Sequence, residues 1–302
     1  MQLGRVGIWG RYLREADAGE IVDAAAELEE LGFGAIWVPG GIESDESVFT
    51  DVARLLGATR ATPVATGIVN MWLHEPAALT RAFHQVESDH PGRFLLGIGI
   101  SHRPLVEGVR PGKFDRPFAA MLRYLDGLDA QPTPVPVGRR VIAALGPKML
   151  KVSAGRSLGT HPYIAPVAHT EFARAVIGPD ALLAPGIPVI LDTDPAPARD
   201  LARRFLANPY SRLPNYSNMW LAHGFTEADL ADGGSDALVD GLVVWGDEAR
   251  IAARIEDHLQ AGADHVCLHV IEPDRARLPR ETWRRLAAAL PKSPSRDQPN
   301  DR

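Results

Sequence analysis

The chain has 302 residues, 45% of them hydrophobic, and a net charge of −6 from 38 acidic and 32 basic side chains. That apolar content supports one large core or two ordinary ones and argues against a disordered chain, while the scattered Lys and Arg form no basic stripe able to neutralise nucleic-acid phosphates. Cys267, the one cysteine, can form no intrachain disulfide, the N-terminal MQLGRVGIWGRYLR lacks a charged-then-apolar signal layout, and no apolar run reaches the ~18 residues needed to span a bilayer. We therefore expect a cytoplasmic protein with no nucleic-acid or membrane partner.

Eight short apolar or β-branched runs follow in chain order: RVGIW at 5–9, FGAIWV at 33–38, PVATGIV at 63–69, RFLLGI at 93–98, RVIAAL at 140–145, HPYIA at 161–165, IPVIL at 187–191 and HVCLHV at 265–270. Between them lie amphipathic stretches such as AGEIVDAAAELEELG, PAALTRAFHQVESDHPG and DEARIAARIEDHLQAG. The first and last of these close on Gly32 and Gly262, where a helix end favours a left-handed residue, and the next run begins at once. Alternation of this kind, over this length, predicts an α/β fold with a parallel sheet closed into a (β/α)8 TIM barrel. We expect one barrel domain over 1–290 and a disordered, proline-bearing tail at 291–302. Three segments do not fit a minimal barrel, and two of them are long: the loop GISHRPLVEGVRPGK at 99–113, after the fourth strand, and an insertion at 208–246, between the seventh and eighth. A proline-rich connector, QPTPVPVG, spans 131–138.

In such a barrel the site is built from the loops at the carboxyl ends of the strands. The residues there include Trp9, Gly10 and Arg11, Gly67 to His74, Gly99 to Arg103, Gly146 to Lys148, Tyr163 and His269. They are rich in glycine, aromatics and histidine and poor in paired carboxylates, a composition suited to a flat ring held by backbone amides. A metal-dependent hydrolase would want several convergent donors, and the first strand ends in GIWGR. His265 and His269, four apart in one strand, read better as a core histidine and a strand-end histidine, so no metal is expected. No G-x-S-x-G elbow occurs, and GIGIS lacks the third glycine and the lysine of dinucleotide and phosphate loops. His258 reads as a surface histidine.

The stretches GFGAIWV, ATGIVNMWLHEPAALTRAF, HPGRFLLGIGISH, RVIAALGPKMLKVSAG and AGADHVCLHV, in that order, resemble the bacterial luciferase-like superfamily, and within it the coenzyme F420-dependent oxidoreductases of actinobacterial type. The likeness runs from residue 4 to about residue 290. It implies a third strand ending in a bulge with a non-prolyl cis peptide that presses on the deazaisoalloxazine or isoalloxazine ring, here Gly67, Ile68, Val69 and Asn70. It also implies backbone amides holding the cofactor phosphate after the fourth and fifth strands, here Gly97, Gly99 and Ser101, then Gly146, Pro147 and Lys148.

One departure stands out. Many F420-dependent relatives carry an Asp-His pair after the second strand, whereas this chain reads WVPGGIESD, and Gly40 and Gly41 can do no acid/base chemistry. His102 and His74 are the nearest titratable candidates for that role. The expectation is a homodimeric oxidoreductase that exchanges hydride between F420 and a small organic substrate. An FMN-dependent monooxygenase using molecular oxygen, or a non-catalytic flavin-binding relative, are the alternatives. The extra positive charge needed for an oligoglutamate tail would come from Lys148, Lys151 and Arg103.

Overall fold

The computed structural model describes residues 1–40, 46–275 and 277–290. Gly41 and the tail at 291–302 lie outside the described residues.

Among the described residues eleven strands form one parallel sheet: β1 (Val6–Trp9), β2 (Ile36–Val38), β3 (Val64–Thr66), β4 (Val69–Asn70), β5 (Phe94–Gly99), β6 (Arg140–Ile142), β7 (Gly159–Thr160), β8 (Leu182–Leu183), β9 (Gly186–Ile190), β10 (Val244–Trp245) and β11 (Val266–Val270). β4 continues β3 past a bulge, β9 continues β8 past Pro185, and β10 is an added edge beside β9, which leaves eight barrel strands. The ring runs β1-β2-β3-β5-β6-β7-β8, and the seventh strand then passes through β9 to β11, which pairs with β1. Backbone bonds from Ala184 to Thr160, Gly186 to Pro162 and Cys267 to Pro185 close it.

Strand residues alternate between two cores, as the pleat requires. Ile36, Val38, Leu96, Ile98, Val266 and Leu268 face the surrounding helices, while Trp9, Ala35, Trp37, Ala65, Leu95 and Cys267 fill the barrel. The filling is unusual in being partly polar. Trp37 Nε1 donates to His265 Nε2 at 3.1 Å, His265 Nδ1 meets the Gly4 carbonyl at 2.9 Å, and the His161 ring stacks on Trp37 with centroids 4.3 Å apart. Gly7 makes room: a Cβ there would stand 2.6 Å from His265 Nε2. His265 is thus a core residue with both ring nitrogens satisfied.

The helix at Ala18–Glu30 is capped by Asp17, whose side chain accepts from Gly19 N, and Gly32 follows it at φ +86°. Gly262, at φ +100°, ends Glu248–Gln260 in the same way. On that last helix Ile251, Ile255 and His258 share the buried stripe. His258 is therefore not the surface residue its type suggested: it is 1% exposed and bonds Thr170 Oγ1 at 2.8 Å.

Three other expectations shift. The sixth strand is Gly159–Thr160, immediately before HPYIA, because Pro162 has no N–H to donate and, of HPYIA, only Tyr163 continues the pairing, through its bridge to Gly186. The loop at 99–113 contains a helix, Arg103–Val109. The insertion folds as helices Pro214–Ala222, Glu227–Leu230 and Asp236–Leu242 and ends in β10, and it packs with Pro195–Ala207 into a second apolar cluster around Trp220 and Trp245 over the carboxyl end of the barrel.

Candidate functional site

A cavity of about 350 Å³ opens at the carboxyl ends of the strands, where the loops after β1, β2, β3, β5, β6 and β7 meet the insertion. Its floor is the bulge between β3 and β4, and the peptide bond from Gly67 to Ile68 is cis. The bulge is held entirely by backbone partners and one indole. Gly67 N donates to Val38 O at 2.7 Å, Trp9 Nε1 donates to Gly67 O at 2.7 Å, and Gly40 N donates to Ile68 O at 3.1 Å. Glycine is required at 67 by contact, since a Cβ would lie 2.8 Å from Trp9 Nε1 and 3.1 Å from His161 Nε2.

The two glycines of β5 support the bulge from the side. A Cβ on Gly99 would meet Ile68 Cδ1 at 2.5 Å, and one on Gly97 would meet the Thr66 carbonyl oxygen at 1.9 Å. Gly97 N already donates to Thr66 Oγ1 at 2.8 Å, so this glycine packs the strand and does not line the cavity. Val69 points into the core. Asn70, Gly99, Ser101, His102 and Gly146 do line the cavity, together with Gly67 and Ile68. Ser101 sits at φ +52°, in the left-handed region that few non-glycine residues adopt.

The polar residues after β4 each have a structural task. Asn70 Oδ1 accepts from Trp72 N at 3.1 Å, an Asx turn that ends the strand, and Trp72 Nε1 donates to Ile100 O at 2.9 Å, tying two loops together. His74 packs edge-on against Phe49, with centroids 5.9 Å apart, behind the cavity wall. Pro147 and Lys148 begin the helix Pro147–Arg156, exposed, with Gly146 as its N-cap and no capping side chain. The first-turn N–H groups of Lys148 and Met149 thus have no intrahelical acceptor at the cavity edge.

The opposite wall is aromatic, and sequence reasoning named little of it. Tyr163 was placed at a strand end, but His161, Tyr210, Asn215 and Tyr216 were not singled out, although all five line the cavity. The only signal was HPYIA itself, whose His and Tyr follow a short strand. Tyr163 Oη lies 2.5 Å from Nδ1 of His269 on β11, and Trp9 packs against both rings. His102 Nδ1 pairs with Asn215 Oδ1 at 2.9 Å.

The cavity is electrically quiet. Burial pushes the His161 pKa down to about 4 and that of His269 to about 3, helped at His269 by Arg275 and Arg11. Burial also lowers the pKa of His102, against the pull of Asn215, and raises those of Tyr163, Tyr210 and Tyr216. Arg11 is paired with Glu15 at 2.6 Å. Among the described residues no Asp or Glu lines the cavity, and no group of three or more His, Cys, Asp or Glu is placed to hold a metal. No described helix is long and apolar enough to cross a membrane.

A glycine floor, neutral walls and an uncapped helix end make a slot that can hold a planar ring by contact and a phosphate by backbone N–H groups. Comparison with known proteins agrees with this geometry. A protein of Mycobacterium tuberculosis named as a coenzyme F420-dependent oxidoreductase is 26% identical over 235 residues, 74% of this chain and 60% of that protein, so the chain spans about three-fifths of the relative's length. Solved structures of similar fold include an F420-dependent secondary alcohol dehydrogenase (TM-score 0.70, 16% identity, 96% of this chain and 98% of the other). The coenzyme F420-dependent tetrahydromethanopterin reductase of Methanopyrus kandleri matches at 0.69 and 15% identity, over 96% and 99%. The oxygenating constituent of 3,6-diketocamphane monooxygenase from Pseudomonas putida, in complex with FMN, matches at 0.66 and 14%, over 96% and 98%. The family model described as luciferase-like monooxygenase matches residues 4–130 and 122–265. The chain, barrel and bulge together, belongs to the luciferase-like monooxygenase family.

Proposed function

We propose that this protein is an F420-dependent oxidoreductase that exchanges hydride between the deazaflavin and a small organic substrate. The observation that carries the reading is the Gly67–Ile68 bulge at the floor of a neutral slot, satisfied by Trp9, Val38 and Gly40 so that its apolar face is left for a ring. When bound, F420 would supply a two-electron hydride at its ring. The chain's part would be to support that ring through Gly67, Ile68 and Asn70, with Val69 contributing only backbone. The cofactor phosphate would be met by Gly99, Ser101 and the helix start at Gly146, Pro147 and Lys148. Gly97 serves that role indirectly, by letting β5 approach Thr66.

Of the two histidine candidates for proton handling, His102 faces the cavity and His74 does not, so polar contact with a bound molecule falls to His102. F420 carries an oligoglutamate tail, and the exposed Lys148, Lys151 and Arg103 would meet it. Arg103 is held over the Phe114 ring at 4.9 Å and lies 3.8 Å from Glu107.

The FMN-dependent monooxygenase is kept as a second reading because one of its structural relatives binds FMN and because Gly40 stands where an acid/base pair is expected. Fluorescence titration of the apo-protein with F420 and with FMN at two salt concentrations decides between them. Tighter F420 binding that weakens with salt supports the proposal; FMN binding without an F420 signal favours the monooxygenase, and binding with no turnover by any reductant favours a non-catalytic relative. A homodimer belongs to the same reading, and sedimentation velocity would test it.

A further inference from the structure

Tyr163 follows β7 and His269 stands on β11, 106 residues apart in sequence, yet the curvature of the barrel brings the phenolic oxygen to 2.5 Å from His269 Nδ1. Trp9 fixes both rings, at 5.1 Å from Tyr163 and edge-on at 4.4 Å from His269, while Phe205 covers His269 at 5.5 Å and Tyr210 lies 5.7 Å from Tyr163. Tyr163 lines the cavity. His269 stands behind it on β11, with β9 between that strand and the end of β7.

We propose that Tyr163 is the catalytic acid/base of this site, with His269 as its positioning residue, and that the substrate is an uncharged molecule whose reacting oxygen alternates between carbonyl and hydroxyl. This rests on the oxidoreductase reading and supplies the proton-transfer group missing after β2. A neutral imidazole has one N–H and one lone pair. With the hydrogen on Nδ1, His269 donates to the Tyr163 oxygen, and the phenolic proton lies on the cavity side, where the Tyr210 hydroxyl is its hydrogen-bond partner until a substrate oxygen takes its place. In the reducing direction the carbonyl carbon accepts hydride, with its two electrons, from a reduced deazaflavin, and the π pair moves to the carbonyl oxygen. That oxygen takes the proton from Tyr163. The phenolate is held by the Nδ1–H of His269 until water restores the proton, and the oxidising direction is the reverse.

Burial supports the assignment, since it keeps His269 neutral and the phenol protonated until a strongly basic oxygen forms beside it. The uncharged substrate follows from the walls. Among the described residues Arg11 is the cation that lines the cavity, and it is paired with Glu15, so a buried anionic or cationic substrate would lose its hydration without a free counter-charge.

The test uses the full chain, with Tyr163→Phe, His269→Asn and His269→Phe. In the apo-protein, ¹⁵N-histidine spectra should show a hydrogen-bonded Nδ1 at His269 that shifts in Tyr163→Phe; an unmoved signal overturns the pair. Loaded with reduced F420, the protein should reduce cyclohexanone or benzaldehyde and leave pyruvate untouched. Tyr163→Phe should lower kcat by ~10² or more and abolish the solvent deuterium isotope effect, with F420 affinity within about twofold of the parent. His269→Asn, which keeps a donor near Nδ1, should retain more activity than His269→Phe. F420 binding with no turnover of either carbonyl probe, or an unchanged kcat in Tyr163→Phe, overturns this proposal and leaves the cofactor reading intact. Failure of F420 and FMN alike to bind overturns both.

Discussion

The two walls of the cavity are made by different means. The wall from β3, β4 and β5 is backbone: Gly67 and Gly99 have no side chains, Gly97 sets the strand spacing behind them, and the groups that matter are carbonyls and amides already paired with Val38, Thr66 and Trp9. The wall from the loop after β7 and the insertion is side chain: Tyr163, His161, Tyr210 and Tyr216 are large rings, buried or half-buried, meeting across long sequence separations. A backbone wall tolerates no added atom, whereas a side-chain wall tolerates changes in shape and sets the chemistry. The first therefore controls whether the site forms, and the second what it does.

The largest effect should come from adding one carbon to the strand that supports the backbone wall. Gly97→Ala would place a Cβ 1.9 Å from the Thr66 carbonyl oxygen, and because that atom is backbone, strand spacing must change. We expect a loss of about 3 kcal/mol or more in urea unfolding, at the upper end of overpacking effects. Stability within 1 kcal/mol of the parent would mean that the glycine wall is not rigid, and the contrast would fail.

Acid should act next, through the histidines of the barrel interior. His161 and His265 have folded pKa values of about 4, below the 6.5 of an unperturbed histidine, because burial penalises the charged ring. The unfolded chain therefore binds more protons below pH 6.5, so their contribution is complete above 6.5 and is lost as pH falls toward 4. Each is expected to contribute on the order of 2–3 kcal/mol to the slope. Thermal unfolding between pH 7 and pH 4.5 measures it, and His265→Phe should flatten the profile while lowering stability at pH 7, since Trp37 Nε1 would lose its acceptor.

On the side-chain wall, His102→Ala should act on turnover and spare the fold. The ring is half-buried and paired with Asn215, so its removal should cost less than about 1 kcal/mol of stability. If His102 contacts the bound molecules, kcat/KM should fall by up to ~10². Equal kinetic losses in His102→Ala and in Arg5→Ala, a surface change far from the cavity, would remove it from the site.

The smallest effect on folding is expected at Gly146. A Cβ there meets nothing within 4 Å, and its φ of −88° suits any residue. Gly146→Ala should change stability by no more than about 0.5 kcal/mol, yet it places a methyl group where the phosphate is proposed to sit, so weaker F420 binding with an unchanged melting temperature is the expected pair of results.

Part of the backbone wall was legible in the sequence because it depends on local pattern. The apolar run that reaches Gly67 and the Pro147 that follows Gly146 announce a strand exit and a helix start within a few residues, whereas Gly97 and Gly99 were expected at a phosphate only through the family resemblance, and Gly97 instead packs against Thr66. Gly32 and Gly262 announced helix ends in the same local way. The interior role of His265 followed from its place inside an apolar strand, and the burial of His258 could have been read from its spacing with Ile251 and Ile255. His74 shows the limit of proximity arguments, for it follows the bulge by only a few residues but turns toward Phe49.

The sequence by itself determined the parallel barrel and its helix ends, because strand period and helix caps are short-range constraints written in neighbouring residues; the bulge was expected only through the family resemblance, and the contacts that require its glycines, Gly67 with Trp9 and Gly97 with Thr66, are long-range. Only the tertiary structure decided which side chains share the cavity. Tyr163 with His269, His102 with Asn215, and Trp37 with His265 are separated by 106, 113 and 228 residues. Their meeting depends on the closure of the barrel and the fold of the insertion, which no local periodicity encodes. The protonation states of these groups depend on burial, which exists only once the chain has closed around them.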